Sequence, residues 1–74
     1  MAGRKTVISA AEGVELVRND LVNDGNVVAT VFYMTTLRSP ETKHFGDSNE
    51  AEKAFADEVA ICRQSDFVQS RLRR

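Results

Sequence analysis

Seventy-four residues are enough for one domain and no more, near the lower limit at which an apolar core suffices without a metal or disulfide. With 42% apolar and 28% charged residues, the chain has the balance of a folded domain and is too apolar to be wholly disordered. The formal charge of −1 hides a segregation: Arg4, Lys5, Arg71, Arg73 and Arg74 put +5 at the two ends, while residues 6–70 carry five bases and all eleven acids, a net −6.

Residues 1–8, MAGRKTVI, read as a basic lead-in followed by a short β-prone piece, Thr6 to Ile8, suited to an edge strand or a docked arm. Ser9 opens S-A-A-E, in which the serine hydroxyl can accept from the backbone three residues on and Glu12 can reach back, the capping-box arrangement. A helix is therefore expected from Ser9. Val14, Val17 and Leu21 return to one side at helical spacing, with Leu16 at the flank, and Asp24-Gly25 ends the helix. Gly13 weakens such a helix by roughly 1 kcal/mol. The competing reading makes N-D-G-N a hairpin turn between strands 16–22 and 27–34.

Residues 27–37, VVATVFYMTTL, hold the densest run of β-branched and aromatic residues and predict the central strand. Alternation places Val27, Ala29, Val31, Tyr33 and Thr35 on one face, and Val28, Thr30, Phe32, Met34 and Thr36 on the other. Both faces stay mostly apolar through Met34, so the strand is expected to be covered on both sides or paired at both edges. Arg38-Ser39-Pro40-Glu41-Thr42 reads as a turn with Pro40 at its second position, and Lys43-His44-Phe45 returns antiparallel to make a hairpin.

After Gly46, Asp47, Ser48 or Asn49 caps a second helix, with acids in the first turn where they complement its dipole. Ala51, Ala54, Phe55, Val59 and Cys62 form a narrow apolar stripe to about residue 63, broken by Glu58 where another apolar residue is wanted. Asp66 with Gln69 caps a short final turn or two, in which Phe67, Val68 and Leu72 tether the end to the body. The fold class is thus α+β: one domain over residues 1–74, helix then β-hairpin then C-terminal helix, with an optional N-terminal edge strand and basic, flexible ends at 1–8 and 66–74.

Chemistry is sparse. His44 and Cys62 are the single histidine and cysteine, and one of each meets the inventory for a nucleophile pair by chance alone. Cys62 reads as a small core residue on the second helix and His44 as a strand residue. A metal site would have to be filled mostly by carboxylates. Glu50, Glu52, Asp57 and Glu58 read as the solvated face of a helix. The four glycines are isolated, so no phosphate loop exists. Neither enzymatic activity nor a cofactor is expected.

Residues 43–55, K-H-F-G-D-S-N-E-A-E-K-A-F, join a short strand, a small polar cap and a helix start. This stretch resembles the end of the small three-stranded DNA-binding domains of plant transcription factors and some phage integrase arms. The strands here are apolar instead of Arg- and Trp-bearing, and a helix is expected before them, so no base-reading residue is carried over.

The longest strongly apolar run, Val27 to Met34, is far short of the roughly 20 residues of a membrane span, and the start lacks the order of a signal peptide. A lone cysteine agrees with a reducing compartment, and a cytoplasmic protein is expected. The function expected is that of a non-enzymatic, protein-binding regulator or inhibitor, of the kind phages and mobile elements direct at larger host machines such as RNA polymerase. Arg4, Lys5, Arg71, Arg73 and Arg74 are the candidate partner-binding residues. The alternative is a nucleic-acid accessory protein that holds phosphates with the same five side chains.

Overall fold

In a computed structural model, which describes residues 2–73, the chain is an antiparallel sheet followed by two helices. The strands are β1 (Ala2–Ala11), β2 (Val14–Asn23), β3 (Asn26–Thr36) and β4 (Ser39–Phe45), and the helices are α1 (Ser48–Arg63) and α2 (Asp66–Leu72). Each strand pairs only with its neighbour in sequence, in the order β1-β2-β3-β4. The α+β class holds; the helix-first order does not.

The helix expected from Ser9 is instead the end of β1 and the whole of β2. The reason lies in two dipeptides. Glu12 and Gly13 have φ of 51° and 78°, and Asp24 and Gly25 have 53° and 80°. Consecutive left-handed residues make the two-residue turn whose twist suits an antiparallel hairpin, and no helix passes through them. E-G thus does for β1 and β2 what D-G does for β2 and β3. The hairpin reading of N-D-G-N is the one realised, and the spacing of Val14, Val17 and Leu21 is that of a two-faced strand. Its register slips at a bulge between Leu21 and Val22. With strands now preceding residues 43–55, one departure from the three-stranded DNA-binding domains disappears, while the apolar character of the strands remains.

β3 has β2 on one side and β4 on the other, so the central strand is paired at both edges. The turn expected at residues 38–42 is displaced toward the N-terminus. Leu37 and Arg38 make it, and Thr36 pairs with Ser39. Pro40 falls inside β4, where an edge strand tolerates a residue that cannot donate to a ladder. Lys43-His44-Phe45 returns antiparallel as expected, with His44 and Phe45 opposite Tyr33 and Phe32.

Both helices lie on one side of the sheet. Val14, Leu16, Phe32 and Met34 from β2 and β3 meet Ala51, Val59 and Cys62 of α1 and Val68 of α2 in a single core, with Phe45, Ala54 and Phe55 at its border. Asp47 caps α1 by accepting from the Asn49 amide at 3.3 Å. Ser65, rather than Asp66, caps α2, accepting from the Val68 amide at 3.3 Å. Along the helix-side face of β2 the apolar Val14 and Leu16 give way to Arg18 and Asp20, where Asp20 accepts from Thr30 at 2.6 Å and from Arg18 at 3.0 Å. The polar change marks where helical cover ends and the β2–β3 hairpin runs on alone. The molecule is accordingly elongated, 46 × 25 × 18 Å.

At Gly13 a Cβ would lie 2.7 Å from a Leu37 methyl, whereas at Gly25 nothing lies within 4 Å. Gly25→Ala should therefore cost about 1 kcal/mol, the strain of a left-handed alanine. Gly13→Ala should cost more, because Leu37 must also move; urea unfolding of the two variants side by side measures the difference.

Candidate functional site

Four of the five basic residues are described, and these do not converge. Arg4 faces Asp20 across the β1–β2 register and adds to the field that lowers that carboxyl below its ordinary range, chiefly through the Thr30 hydrogen bond and then the Arg18 bond. Lys5 lies on the opposite face of β1, its ammonium 5.9 Å from the centre of the Tyr33 ring, at the outer limit of a cation–π contact. Arg71 and Arg73 belong to the far end of the molecule, because α2 is tied to the β1–β2 turn: the Gln69 amide donates to Glu12 at 2.7 Å and to the Cys62 carbonyl at 3.0 Å. Seven residues of extended strand separate Lys5 from Glu12, about 23 Å. Arg74 lies outside the described residues.

On α2 the side chains divide cleanly. Val68 is fully buried and anchors the helix, whereas Phe67 and Leu72, expected to help tether it, are 53% and 45% exposed. Arg71, one turn on from Phe67, sets its guanidinium 5.0 Å from that ring. An exposed aromatic, a stacked arginine and an exposed leucine thus share one seven-residue helix that also leads to Arg73. The i, i+4 spacing of Phe67 and Arg71 was the signal for this pairing. What hid it was the assumption that every apolar residue of so short an element must point inward.

The interruption of the α1 stripe has a physical explanation. Glu58 is 5% exposed, and Arg38 of the β3–β4 turn forks onto it, Nε donating to Oε2 at 2.7 Å and Nη2 to Oε1 at 2.9 Å. Thr36 donates to Oε2 at 3.1 Å and the Cys62 thiol to the same oxygen at 3.4 Å. The Arg38 hydrogen bonds outweigh the opposing cost of burial, and with Cys62 and Thr36 they lower the Glu58 carboxyl from 4.5 to about 2. Burial pushes the Cys62 thiol up, away from the reactive thiolate. His44 stands on the other side of the sheet, 6.1 Å from the Tyr33 ring between centroids, so the two do not form a pair. Glu58, Arg38, Thr36 and Cys62 act as a clasp between helix and sheet.

The third feature is the sheet face turned away from the helices. Val7, Val17 and Tyr33 cross it in register, and His44 continues the row. Tyr33 sits half-buried here because the helices cover only the Phe32 and Met34 side. On either side of this row lie shallow hollows, one of about 400 Å³ lined by Lys5, Asn19, Val31 and His44, and one of about 450 Å³ lined by Ala10, Glu15, Thr35 and Leu37. Among the described residues, no group of three or more potential metal ligands is clustered, and no helix is long and apolar enough to cross a membrane.

Compared with known proteins, the chain matches no protein family, no curated protein and no solved structure.

The clasp makes stability depend on acid in a defined direction. Because Glu58 is more acidic folded than unfolded, its contribution is complete above about pH 4.5 and is lost as the pH falls from there through 2. Arg38→Ala leaves the buried carboxylate without its main partner; a loss toward the lower end of the ~3–5 kcal/mol seen for broken buried pairs is expected, since Arg38 is half exposed. Denaturant unfolding as a function of pH should show a smaller acid-dependent step in the Arg38→Ala variant than in the parent chain, the part due to Asp20 remaining.

Proposed function

We propose that the chain is a non-enzymatic protein-binding regulator, and that α2 is its docking element for an acidic surface on a larger protein. The observation that carries this reading is the Arg71 guanidinium placed over an exposed Phe67, 5.0 Å from the ring centre in a cation–π contact, next to an exposed Leu72 and Arg73. Aromatic and arginine side chains supply a disproportionate share of binding energy at protein interfaces, and stacking holds both in place before contact. Arg71 and Arg73 select for acidic character in the partner and speed the encounter. A small regulator or inhibitor of the phage type, acting on a machine such as RNA polymerase, fits this arrangement and is the reading carried forward from the sequence.

The alternative, phosphate binding by the basic ends, has less support. Arg4 lies opposite Asp20 on one face of β1 and Lys5 near Tyr33 on the other, with Arg71 and Arg73 a strand's length away, so these four cations form no continuous track along which a nucleic acid backbone could run. One observation does favour it: the acids Glu50, Glu52 and Asp57 lie on α1, on the helical side of the sheet, turned away from Lys5.

The test is to recover partners from a lysate of the source cell, purify the protein retained, and measure its affinity by calorimetry. Phe67→Ala and Arg71→Ala should each cost about 2 kcal/mol or more, the scale of an interface hot spot. Arg73→Ala should act mainly on the association rate and its salt dependence. Tight, length-dependent DNA binding by the isolated chain at physiological salt would overturn the reading, and failure to retain DNA even at low salt would remove the alternative.

A further inference from the structure

The uncovered sheet face is unusual in area and in charge. Packing of a chain of this mass into an ordinary monomer leaves about 4,500 Å² accessible and a radius of gyration of about 11 Å. The observed values are 5151 Å² and 13.9 Å. The excess, about 600 Å² by that scaling, is shared between this face and the β2–β3 hairpin tip with its exposed Val27 and Val28. Four strands at about 4.8 Å spacing give a width near 20 Å, and some nine residues of strand give about 30 Å of length.

Its charges are as informative. On β1, β2 and β3 the only charged side chains that alternation places on this face are Lys5 and Glu15. They stand on either side of the Val7–Val17–Tyr33 row, Lys5 one step toward the N-terminus of β1 and Glu15 one step toward the β1–β2 turn. Glu15 has no ion-pair partner among the described residues. One cation and one anion placed symmetrically about an apolar row form a self-complementary pattern. If the face is turned through a two-fold axis lying across the strands over Val17, Lys5 comes beside Glu15 of the second copy, twice, while the exposed Val7 and the half-buried Tyr33 meet their own images on either side of Val17, which its neighbours in the sheet already cover to 6% exposure.

We infer that the uncovered face is the interface of a two-fold dimer, its occupant a second copy of this chain. The two sheets pack face to face with strands nearly aligned, the arrangement in which inner side chains of twisted sheets interdigitate. Two faces of about 600 Å² remove about 1,200 Å² from water, at the lower boundary of stable, specific interfaces. The expected dimer is therefore concentration-dependent and not obligate. Because like charges at an interface are costly and opposite charges fix its register, the two reversals should compensate one another. The α2 docking patch lies on the helical side of the sheet and is not consumed, so this inference stands or falls separately from the proposed function.

Sedimentation velocity on the full chain, from micromolar to sub-millimolar concentrations, tests it. The parent chain should pass from monomer to dimer. Lys5→Glu and Glu15→Lys should each weaken the dimer about tenfold or more, and the variant carrying both should recover most of the loss. Both positions are exposed, so circular dichroism should show the parent fold in every case. Val7→Asp, at a side chain that is 54% exposed, should also yield a monomer. A parent chain that stays monomeric throughout would overturn the inference. So would a dimer indifferent to these changes, a double reversal that fails to recover, or a monomer that instead retains single-stranded DNA through Lys5.

Discussion

The structure depends on a shortage of helix. Four strands offer two faces, and the residues left after them supply one helix of sixteen residues and one of seven, enough to cover one face over about half its length. Apart from Val17, which its neighbours in the sheet cover on the other face, the buried apolar residues are gathered where Val14, Leu16, Phe32 and Met34 meet Ala51, Val59, Cys62 and Val68. Beyond Leu16 the helix-side face turns polar, and the opposite face keeps its valines and its tyrosine without a second layer. A chain of this size cannot bury both faces alone, so the distribution of apolar residues divides what the molecule keeps for itself from what it offers.

Within the covered half, one ionic group fixes how the helix meets the sheet. Glu58 interrupts an otherwise apolar stripe, and its two oxygens are taken by Arg38, Thr36 and Cys62. Apolar contacts alone would let α1 slide along the sheet at small cost. A carboxylate that must meet a guanidinium from a two-residue turn permits one position, at the expense of desolvating the charge. The same end of the molecule is fastened again through Gln69 and Glu12, with Arg63 3.7 Å from the same carboxylate, and by the Leu37 amide donating to the Gly13 carbonyl at 3.2 Å. The turn end is therefore well tied, while the β2–β3 hairpin tip carries exposed valines at 27 and 28.

Much of this was legible in the residues. The α1 boundaries, the central strand, the alternation of its faces and its return through Lys43 to Phe45 follow from capping residues and β-branched density. The first half was not, because Val14, Leu16, Val17 and Leu21 satisfy a helical period and an alternating one at once. Ser9 and Glu12 imitate a capping box besides. Only the pair of positive-φ glycine turns decides between them, and E-G is a weaker turn signal than N-G or D-G. Charge counting found the basic ends but gave no hint that they lie at opposite poles. The exposure of Tyr33 and Phe67 was hidden for a related reason: apolar character predicts burial only when there is something to be buried against.

The sheet is a pure meander, each strand joined to the next by two residues. Nearly all its pairings are therefore local in sequence, the topology that closes loops at small entropic cost and folds fast. The distant closure belongs to α2, which reaches back across 57 residues to Glu12. With a single fully buried side chain, Val68, this helix contributes the least to the core, and elements of that kind open locally while the remainder stays folded. The helix that carries the exposed Phe67 and Arg71 is thus held mainly by one buried valine and the Gln69 hydrogen bonds, so it can open without disturbing the hairpins beneath it.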